Sequence, residues 1–169
     1  GIEFAKIDLA KEGIILEDDV LPLPSFFAYC DELLERYRHD NRVAMISGCN
    51  LISNFYTPIE SYFFSRIPHI WGWASWRRAW QHFDIAMNAW PAWRDQGGLV
   101  HFSAGNSLFE SYWRHKFNAV YNAKINTWDY IWTFTCWRLG GLSALPVRNQ
   151  TRNLGFGRDA THTATASPD

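Results

Sequence analysis

A chain of 169 residues is long enough for one domain with a sizeable core. Its 16 basic and 17 acidic residues balance, and nothing in their distribution suggests a nucleic-acid-binding stripe or a polybasic membrane patch. Cys30, Cys49 and Cys136 are widely spaced and odd in number, so they form neither a C-x-x-C pair nor a disulfide framework, and a reducing compartment is expected. No apolar run approaches membrane-spanning length, so no transmembrane segment is expected. The ten Trp, twelve Phe and seven Tyr are unusual. An aromatic-heavy core accounts for most of them, yet flat aromatic faces also suit sugar rings.

In chain order, Ile2, Phe4, Ala5 and Leu9 have helix-like spacing and lead into Gly13. A helix feeding a strand is the second half of a βαβ unit, and its first strand has no counterpart, so a missing N-terminal part is expected. Ile14–Leu16 reads as a buried strand that runs into Glu17-Asp18-Asp19. Crowded carboxylates at a strand end are costly unless a cation neutralises them. Mg²⁺ or Mn²⁺ is the natural partner, since both favour carboxylate oxygens with substrate phosphates. A solvated turn is the competing reading.

Leu21–Pro24 reads as a stiff exit, and Ser25 as an N-cap. Phe26, Phe27, Cys30, Leu33, Leu34 and Tyr37 then form one apolar helical stripe. Val43–Ser47 reads as a second buried strand, so strand, helix and strand imply a parallel crossover. A loop from Leu51 leads to a short strand at Tyr62–Ser65. Ser75 is expected to cap a helix reaching Trp80 or Phe83. Asn88–Gly98 reads as irregular, Ser107–Tyr121 as a helix, and Ile131–Leu139 as another, stopped by Gly140-Gly141. Leu142–Val147 is a last strand, followed by a polar loop from Arg148.

Four constellations carry chemistry. Glu17-Asp18-Asp19 lies at the carboxyl end of a strand, where α/β sheets bind ligands. In Pro68–Trp80, Gly72 between Trp71 and Trp73 allows close backbone approach while the indoles offer stacking faces; a packed strand-to-helix corner is the alternative. Asp129 stands where a helix begins, as an N-cap or as a general base for a substrate hydroxyl. In the Asn149–Thr163 loop, Arg152 or Arg158 suits a diphosphate clamp, and His162 is a metal ligand or a solvated side chain.

The segment Glu12–Asp19 followed by Pro24-Ser25-Phe26-Phe27 resembles the core of bacterial GT-A-type, family-2-like glycosyltransferases, the nucleotide-diphospho-sugar transferases. His69–Ala74, Thr127–Tyr130 and Asn153–Gly157 with Ala160-Thr161-His162 follow in matching order. The chain is also similar to the N-acetylglucosaminyltransferase that initiates complex N-glycans. The resemblance spans nearly the whole chain.

It implies an α/β GT-A (Rossmann-like) fold, with a mixed, mostly parallel sheet and flanking helices in a single partial domain lacking its first βα units. It implies a nucleotide-diphospho-sugar donor, Mn²⁺ or Mg²⁺, a saccharide or lipid-linked saccharide acceptor, and inversion during hexosyl or N-acetylhexosaminyl transfer. By resemblance Asp19 ligates the metal, Asp18 meets the ribose or the metal, Glu17 meets the donor sugar and Asp129 is the base. The expected location is the cytoplasm, with the inner membrane face as a place of work. Two other classes stand beside this one: a non-catalytic carbohydrate-binding domain and a sugar-phosphate nucleotidyltransferase.

Overall fold

The structure is a computed structural model that describes residues 11–56 and 58–155. The predicted N-terminal helix, Arg158 and His162 lie outside the described residues. The described chain divides into two compact units. One holds the residues up to Gln81 and from Leu142 onward, and the other is His82–Gly141.

The first unit is α/β. Its strands are β1 (Glu12–Ile15), β2 (Val20–Pro22), β3 (Val43–Ser47), β4 (Tyr62–Ser65), β5 (Trp73–Trp76), β6 (Leu142–Pro146) and β7 (Thr151–Asn153); its helices are α1 (Phe26–Arg36) and the single turn α2 (Arg77–Trp80). Five strands make one mixed sheet in the order β1-β5-β3-β6-β4, and β2 pairs with β7 in a separate ribbon. β1, β3 and β6 share one direction, but only β3 and β6 form a parallel ladder; the β1–β5, β3–β5 and β4–β6 ladders are antiparallel. The expectation of a mostly parallel sheet is corrected accordingly. β1 and β3 keep the parallel sense of a crossover, but β5 lies between them.

β5 also corrects the helix expected from Ser75. Residues 73–76 are all buried, and alternation sends Trp73 and Ser75 to one face, Ala74 and Trp76 to the other. Ser75 Oγ donates to the Ala44 carbonyl at 2.8 Å instead of capping a helix.

α1 covers the Ala74–Trp76 face. Phe26, Cys30, Leu33 and Leu34 pack with Val43, Ile46, Ala74, Trp76 and Ala144, as the stripe predicts, although Phe27 is 46% exposed. Ser25 makes no capping bond; its hydroxyl donates to Gln150 Oε1 at 2.6 Å. β1 is half-buried along its length, not the deeply buried strand expected. Among the described residues it pairs with β5 alone.

The second unit is helical: α3 (Trp90–Asp95), α4 (Gly98–Ser103), α5 (Ser107–Tyr121) and α6 (Asp129–Arg138). The stretch expected to be irregular is largely helical. Pro91 sits in the first turn of α3, where the missing N–H costs nothing. Gly97, at φ 78°, joins α3 to α4, and Gly98 leaves no room for a side chain against the Trp93 indole. The aromatic wealth becomes core here. Trp90 meets Phe117 at 5.1 Å and Phe134 at 5.7 Å between ring centres, and Phe102 stacks on Trp137 at 3.9 Å. The buried Trp90 N–H donates to Asn118 Oδ1 at 3.0 Å, as a buried indole requires.

Candidate functional site

β1, β3 and β6 deliver their carboxyl ends to one edge of the sheet, and antiparallel β5 starts there. Four segments therefore meet at this edge: Leu16–Asp19, Gly48–Leu51, His69–Gly72 and Val147–Gly155. Backbone bonds sew them together. Gly48 N donates to Gly72 O at 2.7 Å, and Gln150 N donates to Gly48 O at 2.7 Å. Thr151 Oγ1 donates to Trp71 O at 2.6 Å, and Asn50 N to Asn149 Oδ1 at 2.6 Å.

The acids form the turn between β1 and β2, with Val20 N donating to Glu17 O at 3.1 Å. Asp18 is exposed, while Glu17 and Asp19 are half-buried. β2 pairs with β7 in the register Val20↔Asn153, Leu21↔Arg152 and Pro22↔Thr151. This brings Asp19 to the C-terminal loop: Leu154 N donates to Asp19 O at 2.7 Å. A methyl group at position 155 would overlap Oδ2 of Asp19, so Gly155 leaves that carboxylate room. Asn153 Oδ1 accepts from Gly155 N at 2.6 Å and fixes the bend. Arg152 is exposed, opposite Leu21.

Among the described residues no group of three or more His, Cys, Asp or Glu side chains is placed to hold a metal ion. A Mg²⁺- or Mn²⁺-type site needs only one or two carboxylates when phosphates complete the shell. Asp18 and Asp19, the latter with Gly155 packed close to its carboxylate, fit that chemistry.

Of the two readings of the Trp71-Gly72-Trp73 segment, Gly72 and Trp73 take the packed one. Trp73 is 0% exposed, so its indole offers no stacking face. Gly72, at φ 72°, is surrounded by the Thr151 methyl, Leu16 and Val20. The close approach that glycine permits is thus to the chain itself. Trp71 is half-buried at the site's edge.

Gly48 and Asn50 were missed in the sequence, although the strand-end logic applied to Asp19 also singles out the end of β3. Asn50 is 1% exposed, its Oδ1 accepts from Ile52 N at 3.0 Å, and its amide nitrogen has no partner among the described residues. His69 is buried beside it. His69 Nδ1 lies 3.3 Å from Leu51 N and 3.4 Å from the Cys49 carbonyl oxygen. Burial pushes this imidazole below its ordinary pKa, with the Cys49 carbonyl working weakly the other way.

The linkage sign follows. Below about pH 6.5 the unfolded chain takes up the proton that folded His69 refuses. Stability should be full above that pH and fall as the solution is acidified. A melting temperature that drops between about pH 7.5 and 5.5, with a smaller drop in His69→Gln, is the expected result. Equal drops in both proteins would refute it.

Asp129 belongs to the second unit. It is the first residue of α6, not the N-cap, which is Trp128. Asp129 Oδ1 accepts from Tyr130 N at 2.8 Å and from the Thr127 hydroxyl. Two donors on one oxygen hold the carboxylate in a fixed orientation.

No helix among the described residues is long and apolar enough to cross a membrane. A scan against protein-family models finds no match to this chain, and neither does a search of curated protein sequences.

Proposed function

We propose that this chain is a metal-dependent glycosyltransferase of the GT-A type, moving a sugar from a nucleotide-diphosphate donor to an acceptor hydroxyl with inversion. The observation that carries the reading is the Glu17–Asp19 turn at the carboxyl edge of the sheet, tied by the β2–β7 ribbon to Arg152 and Gly155. Asp19 and Asp18 would hold Mn²⁺ or Mg²⁺. When bound, that cation neutralises the departing diphosphate, which removes the need for a protein acid at the leaving oxygen. Arg152 adds positive charge for the same diphosphate. Asp129 takes the proton of the acceptor hydroxyl, its carboxylate oriented by Thr127 and the Tyr130 amide.

A purely carbohydrate-binding role draws on exposed indoles. Trp73, Trp76, Trp90, Trp132 and Trp137 are all buried, which favours the transferase reading over that alternative.

The test is thermal. Mn²⁺ together with UDP or GDP should raise the melting temperature of the full chain, because ligands of the folded state stabilise it by mass action, by about 2.7 kcal/mol at a hundredfold excess over Kd. Asp19→Asn should abolish the rise. A full rise in that variant removes Asp19 from the metal site, and no rise in the wild type with either nucleotide overturns the reading.

A further inference from the structure

The second unit carries a cluster that the proposed chemistry leaves unused. Tyr112 and Lys116 lie one turn apart on α5, and Tyr130 follows Asp129 on α6. The Lys116 ammonium sits 5.4 Å from the Tyr112 ring centre and 5.5 Å from that of Tyr130. Tyr112 is 50% exposed, so its ring keeps an open face, while Lys116 is half-buried. Tyr130 is braced from behind by Trp113, at 5.8 Å and nearly perpendicular. Burial and a hydrogen bond with Tyr112 hold its phenol protonated, and the Asp129 charge works in the same direction.

The charges here are sorted. Arg114 is taken by Glu110 one turn earlier. Lys116 has no carboxylate within ion-pair distance among the described residues. A cation over aromatic rings gains modestly from their faces and keeps donors for an anion. Tyr130 therefore neighbours a carboxylate that accepts from its own amide and has an ammonium near its ring. One small region of the second unit thus offers an acceptor of hydroxyl protons, a cation and aromatic surface to a ligand.

We infer that Tyr112, Lys116 and Tyr130 form a binding platform beside Asp129 for an anionic saccharide, a sugar bearing a carboxylate or a phosphate. The sugar ring packs on Tyr112, its anionic group pairs with Lys116, and a hydroxyl is presented to Asp129. That this ligand is the acceptor rests on the transferase reading; that the platform binds it does not.

Titration calorimetry on the full chain, with a chelator and no nucleotide, tests the platform separately from the metal site. The probes are a uronate-containing disaccharide, a hexose 1-phosphate and maltose. At least one anionic probe should bind about 10-fold more tightly than maltose, and the preference should weaken as salt rises. Lys116→Gln should erase it, Lys116→Arg should keep most of it, and Lys124→Gln should leave it unchanged. Tyr112→Ala should weaken the anionic probe by about 10-fold, and Tyr112→Phe much less. Preference for the uronate identifies an acidic glycan, and preference for the phosphate a glycosyl phosphate. Equal binding of all three probes, no binding at millimolar concentrations, or an unaltered preference in Lys116→Gln overturns the inference. Retained binding in Lys116→Arg shows that a loss in Lys116→Gln is not a folding defect.

Discussion

Asp129→Asn is expected to cut sugar transfer by about 10²-fold or more, the usual scale for a lost general base, and to leave the melting temperature almost unchanged. The two halves of this result have separate causes. Asp129 Oδ1 is used as a hydrogen-bond acceptor, taking the Tyr130 amide and the Thr127 hydroxyl. The Asn carbonyl oxygen accepts the same two bonds, so the first turn of α6 keeps its local support. The substitution removes a negative charge near a helix N-terminus, which costs roughly 0.3–1 kcal/mol at an exposed position. What Asn cannot do is take a proton. Melting temperature and turnover, measured on the same preparation with a competent acceptor, separate the two roles. Turnover near that of the wild type would make Asp129 a purely structural residue. Asp84 and Glu110 would be the next carboxylates to test, although both are engaged: Asp84 accepts from the Ala86 and Asn88 amides, and Glu110 pairs with Arg114.

Arg78→Met is expected to lower stability by about 3 kcal/mol or more, a fall of roughly 6–12 °C in melting temperature for a chain of this size. The Arg78 guanidinium donates to three carbonyls: Tyr37 O at 2.9 Å, Arg38 O at 3.1 Å and Val43 O at 2.8 Å. Tyr37 is the C-cap of α1, so one side chain satisfies carbonyls that the helix end leaves unpaired and ties them to the start of β3. The guanidinium also lies 4.2 Å from the centre of the Trp76 ring. Bonds from a charged donor are each worth about 1.5–3 kcal/mol, and a carbonyl left without a partner adds to the loss. Met keeps the packing of the stem and removes the donors together with the cation over the Trp76 ring. Arg78→Lys should fall in between, since a single ammonium cannot match the planar fork. Chemical denaturation of the three proteins is the measurement, and a loss below about 1 kcal/mol in Arg78→Met would show that water replaces the guanidinium without difficulty. Within the Trp-rich Pro68–Trp80 segment, Arg78 is thus a helix-end clamp.

What the chain determines by itself is its local periodicity. The apolar stripe of α1, the all-buried run of β3 and the extents of α5 and α6 were legible because each side chain meets partners at fixed short spacing on its own element. The position of Glu17-Asp18-Asp19 at a strand end was legible for the same reason. Pairing decided the rest. β5 lies between β1 and β3 because its small central residues and two opposed indoles suit a strand buried on both faces, yet Trp73–Trp76 alone also reads as the approach to a helix. β2 and β7 are three residues each, too short to show a period, and exist only because residues more than a hundred positions apart exchange backbone bonds. That pairing puts Gly155 against Asp19 and so builds the candidate site. Backbone donors and acceptors are the same in every residue; which of them meet is decided by how the whole sheet buries its faces.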